Sequence, residues 1–124
     1  MTTPLRILVV EDSPSVGAIL TCAFEQEGCT TALARSGSGG IELAQQWHPD
    51  LIALDLSLGG DVVAALRADQ RTRDIPIVAI SAPSRDLPRG VAQQLARIFG
   101  EPFYPAEVVA AAMEALQSPA RLGR

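Results

Sequence analysis

Apolar residues along this chain fall into two kinds of run. The first kind is short and continuous. "RILVV" (6–10), "LIALD" (51–55) and "IPIVAIS" (75–81) lack polar alternation and are rich in β-branched residues and leucine, which predicts strands buried on both faces. "CTTALA" (29–34) predicts a shorter second strand and "RIF" (97–99) a short fifth. The second kind repeats with helical period. Val16, Ile19, Leu20, Ala23 and Phe24 share one face of a helix that opens at Ser13-Pro14 and stops at Gly28. Residues 37–47 predict a second helix with Ile41, Ala44 and Trp47 inward, closed by His48-Pro49. Val62, Val63 and Leu66 mark a short third helix, and residues 89–97 a weaker fourth. The last helix carries Val108, Val109, Ala112, Met113 and Leu116 as one stripe.

Strand and helix thus alternate five times, the pattern of a three-layer α/β sandwich around a buried parallel sheet. A length of 124 residues fits one domain, with a core over about 5–117 and a short tail at 118–124. The longest apolar runs, of four to six residues, fall far short of a membrane helix. "MTTPLRILVV" has no basic flank or long apolar segment of a secretory leader, so a cytoplasmic protein is expected. Cys22 and Cys29 have neither metal nor CxxC spacing and read as reduced thiols. A net charge of −4 gives no general attraction to nucleic acid. All ten basic residues are arginine; lysine is absent.

Sheets of this kind place their site outside the carboxyl ends of the strands. Strand one ends there in Glu11 and Asp12, strand three in Asp55 and strand four in Ser81, and strand five leads to Glu101. Each has an ordinary explanation taken singly. Asp12 suits a helix start, Glu11 a solvated loop and Ser81 a turn. Asp55 is harder to explain, since an acid ending an apolar strand gains nothing from the core. Together they are costly: two unit charges ~4 Å apart repel by about 4 kcal/mol at an effective dielectric near 20. Either their pKa values rise or a divalent cation sits among them, and hard oxygen ligands with room for water suit Mg²⁺.

In "RILVVEDSPSV", "HPDLIALDLSL", "RTRDIPIVAISA" and "EPF", in that order and spacing, the chain resembles the receiver domain of two-component response regulators over nearly its whole length. The resemblance implies a flavodoxin-like sheet of order 2-1-3-4-5. It implies that Asp55 accepts a phosphoryl group from a phosphohistidine on a histidine kinase or phosphotransfer protein. Glu11, Asp12, Asp55 and the backbone carbonyl of Ser57 would hold Mg²⁺, and Ser81 would bind the phosphate and move the following loop as a switch. Catalysis would extend only to its own phosphotransfer and dephosphorylation. With no output domain expected to follow, the signal would pass by contact to a downstream protein, without nucleic acid or membrane. The face of the fourth helix, fifth strand and last helix would be reshaped, and would support a weak homodimer.

The chain also departs from that family's pattern. Glu101 stands where the family has a lysine before Pro-Phe, Gly59 replaces a proline, and the third helix begins about four residues early. Ile98 occupies the aromatic switch position, and Pro83 stiffens the loop after strand four. Arg85 is the nearest cation by sequence that would substitute. Glu101 either points outward, leaving three acids without a phosphate clamp, or inward as a further acid that strengthens cation binding and opposes phosphorylation. The alternative function is therefore an unphosphorylated pseudo-receiver, a constitutive docking module. An aspartyl-phosphate phosphatase needs a second Asp where this chain has Ser57. A flavin or nucleotide carrier needs a phosphate cradle where it has "EDSPS", and "SGSGG" (36–40) follows strand two instead.

Overall fold

The computed structural model describes residues 3–81 and 90–117. Pro83, Arg85, Arg89 and the tail 118–124 lie outside them. Five strands, β1 (Arg6–Val10), β2 (Thr30–Ala34), β3 (Leu51–Asp55), β4 (Ile77–Ser81) and β5 (Arg97–Gly100), form one sheet. All neighbours are parallel and their order is β2-β1-β3-β4-β5, as expected. The helices are α1 (Pro14–Gln26), α2 (Gly37–Trp47), α3 (Gly60–Ala68) and α4 (Pro105–Leu116).

Alternation along each strand sorts the core into two layers. Ile7, Val9, Leu51, Ala53, Val78 and Ile80 face α1 and α4, meeting Leu20, Phe24, Val108 and Ala112. Leu8, Val10, Ile52, Leu54, Ile77 and Ala79 face α2 and α3, meeting Ala44, Val63 and Leu66. Every residue of β3 and β4 is buried, which accounts for their unbroken apolar runs. The edge strands β2 and β5 are only partly covered.

The helix starts follow from their caps. Ser13 Oγ accepts from the Val16 amide at 3.3 Å and Ser36 Oγ from that of Gly39 at 3.0 Å. His48 closes α2 in the left-handed region, φ 54°. One inward assignment shifts. Ile19 is 47% exposed, because it lies about 100° around the helix from Leu20, and Gly17 takes its place against Leu33. Trp47 packs half-buried against the α2–α3 layer, its ring lying 5.7 Å from the Arg6 guanidinium, which also donates to the Trp47 carbonyl at 2.8 Å.

The expected fourth helix is largely absent among the described residues. Gly90 has φ +86°, Val91 is the buried anchor, and only Ala92–Gln94 form a single 3₁₀ turn. The described part of the helix 4–strand 5–last helix face therefore consists of that turn, β5 and α4. Polar contacts hold the turn. The Arg67 guanidinium, at the end of α3, donates to the carbonyls of Arg73 (2.9 Å), Ile75 (2.8 Å) and Gln94 (2.9 Å).

One glycine sets the approach of α2 to the sheet. A Cβ on Gly40 would lie 2.8 Å from both Val10 methyls. Gly40→Ala gains about 1 kcal/mol of helix propensity but overpacks this contact at a cost of about 1–3 kcal/mol. We expect a net loss of about 1 kcal/mol in urea unfolding. Adding Val10→Ala should cost less than the two single losses summed.

Candidate functional site

Strand register brings the predicted site residues to one edge. Val10 pairs with Leu54 and Asp55 with Ile80, so Glu11, Asp55 and Ser81 leave neighbouring central strands at nearly the same level. Carboxylate oxygens of Glu11, Asp12 and Asp55 lie within 4.8 Å of one another. Glu11 and Asp55 are buried and Asp12 is exposed, giving the cluster one open side.

Main-chain groups fix the acids. The Glu11 amide donates to the Ala34 carbonyl at 2.9 Å, and Glu11 Oε2 accepts from the Ser13 amide at 2.9 Å. Asp55 caps a 3₁₀ turn, Leu56–Leu58. Its Oδ1 accepts from the Ser57 amide at 2.9 Å and its Oδ2 from the Ser57 hydroxyl at 2.7 Å. The hydroxyl contact escaped the sequence reading, although Asp-x-Ser at the start of a turn is a recognisable local hydrogen-bonding pattern. Gly59, at φ +116°, then turns the chain into α3, a conformation open to glycine and closed to the proline expected there.

The electrostatics match this crowding. Burial pushes the Glu11 carboxyl up to about 7, with the Asp55 charge and hydrogen bonds to Asp55 and Asp12 adding to the rise, while the Ser13 amide opposes it. Three acids, one of which retains a proton toward neutral pH, form a donor set that a hard divalent cation would complete, and the open side leaves room for water.

Ser81 is buried at the end of β4, opposite Gly100. Its carbonyl accepts from the Glu101 amide at 3.0 Å, extending the ladder by one residue. Glu101 itself is exposed and is not among the clustered acids, so of its two possible placements the structure takes the outward one. Ile98, opposite Ala79, is half-buried against the α2–α3 layer.

The response regulator receiver domain profile matches residues 7–113. The chain belongs to that family. It is 38% identical over 111 residues to the DNA-binding response regulator MtrA of Mycolicibacterium smegmatis, covering 85% of this chain and 47% of that protein. The transcriptional regulatory protein BaeR of Escherichia coli is 34% identical over 108 residues, 85% of this chain and 45% of that one. The receiver thus spans about half the length of these relatives. Its fold is also that of the chemotaxis response regulator CheY4 of Vibrio cholerae (TM-score 0.79, 20% identity, 92% and 99% of the two chains). The receiver domain of a Pseudomonas aeruginosa sensor histidine kinase, which has a magnesium ion coordinated in its active-site cleft, superposes at TM-score 0.81, with 23% identity over 94% and 100% of the two chains. No helix among the described residues is long and apolar enough to cross a membrane.

The raised Glu11 pKa has a testable sign. The folded state holds this proton more tightly than the unfolded chain, so the stability it contributes is full below about 4.5 and is lost as pH rises through about 7. In chelator, the urea midpoint should fall across that window, and Glu11→Gln should flatten the fall.

Proposed function

We propose that this receiver takes a phosphoryl group on Asp55 from a phosphohistidine of a histidine kinase or phosphotransfer protein. The observation that carries the reading is the convergence of Glu11, Asp12 and Asp55 at one sheet edge, in a chain of this family. Glu11, Asp12, Asp55 and the Ser57 carbonyl would hold Mg²⁺, which supplies positive charge against the phosphoryl oxygens.

The chain's own residues do the rest. The Asp55 carboxylate, buried and held by the Ser57 amide, is the nucleophile for in-line attack. The Ser81 hydroxyl donates to a phosphoryl oxygen, and the shift of Ser81 at the end of β4 reshapes the β5–α4 side. That surface signals by contact with a downstream protein. The net charge of −4 gives these 124 residues no general attraction to a phosphate backbone.

Glu101 favours a second reading, a docking module that stays unphosphorylated. Its exposed carboxylate, on a residue whose amide donates to the Ser81 carbonyl, stands where the family has a cation. Acetyl phosphate with Mg²⁺, read by intact mass beside Asp55→Asn, decides between the two. We expect one phosphoryl increment, absent from the variant; no increment with Mg²⁺ still binding would establish the docking module. Glu101→Lys should raise the phosphorylated fraction at steady state, with uptake at least ~10-fold faster, equivalent to about 1.4 kcal/mol of barrier.

A further inference from the structure

Both oxygens of the Asp55 carboxylate are engaged by one residue. The Ser57 amide donates to Oδ1 at 2.9 Å and the Ser57 hydroxyl to Oδ2 at 2.7 Å. These donors differ in what they can do. The amide is fixed by the 3₁₀ turn that Asp55 caps. The hydroxyl sits on one rotatable bond of an exposed residue and can turn to solvent. Asp55 is only 6% exposed, so burial and the amide hold the carboxylate in place without the hydroxyl.

We propose that Ser57 is a positioning residue that acts as a brake on Asp55: its hydroxyl occupies Oδ2 and must rotate away before that oxygen can attack phosphorus. The inference rests on Asp55 being the phosphoacceptor. In the step itself, a lone pair of Oδ2 forms the new O–P bond while the bond from phosphorus to the donor's leaving atom breaks, and with a phosphohistidine the electron pair departs on the imidazole nitrogen. With an acyl phosphate donor the electron pair departs on a carboxylate. No proton is transferred, and Ser57 keeps its own. A hydrogen bond to an ionised acceptor is stronger than one between neutral groups, and water recovers part of its loss at an exposed site.

The test compares wild type, Ser57→Ala and Ser57→Thr in saturating Mg²⁺ over a range of acetyl phosphate, with rates read by intact mass. Ser57→Ala should raise the maximal rate about threefold to tenfold, as one released hydrogen bond allows. The half-saturating donor concentration should not change, and Ser57→Thr, which restores the hydroxyl, should return the wild-type rate. A Ser57→Ala protein no faster than a wild type that does take up phosphate overturns the brake and leaves Asp55 as acceptor. Uptake by neither protein overturns the brake together with the reading beneath it.

Discussion

Mutual repulsion among three carboxylates held within 4.8 Å is the constraint on which the rest of this structure turns. The sheet cannot relieve it, since Glu11 and Asp55 stand at the ends of two neighbouring inner strands and are nearly closed to water. The chain answers with fixed donors. Amides of Ser13 and Ser57 point at the buried acids, and Glu11 keeps a proton toward neutral pH. Water reaches the cluster through Asp12, so compensation from outside has an entry. A site built this way is poised for a cation without being assembled by one.

Cohesion is uneven across the sheet. β3 and β4 are dry on both faces, whereas β5 is covered only at Ile98 and Phe99. On that side polar ties replace apolar contact. Arg67 gathers carbonyls from the α3–β4 connection and from the 3₁₀ turn before β5, and the Ser81 carbonyl holds the Glu101 amide. Segments secured by a few hydrogen bonds open more readily than packed core. On the side proposed to signal, β5 and the 3₁₀ turn before it thus cost less to rearrange than the packed strands β3 and β4.

Much of this was legible in residue order. Unbroken apolar runs located β1, β3 and β4, because a strand buried on both faces has no polar positions to interrupt it. Ser13-Pro14 and His48-Pro49 bracketed helices by chemistry local to the backbone. The acids were legible as a group because each follows a strand, and parallel strands bring their ends together. Three kinds of feature were not. Ile19 fell on the wrong side of a boundary that helical periodicity draws only to within one residue. The weak fourth helix failed because Gly90 takes a positive φ and the stretch has too little apolar surface to bury. The Ser57 hydroxyl was missed because Asp-x-Ser spacing shows that such a contact can form but not which rotamer the side chain takes.

The ladder bond from Glu101 to Ser81 has an evolutionary consequence. It runs through the amide, so the place of residue 101 beside the site is set by the main chain, whatever side chain it bears. The side chain itself leaves the sheet for solvent and supports no packing that a replacement would disrupt. Glutamate and lysine codons differ only in their first base, by a transition. A lineage can therefore reverse the charge at this corner in one mutational event without passing through a misfolded intermediate, so the charge beside the site can change far faster than the fold that houses it.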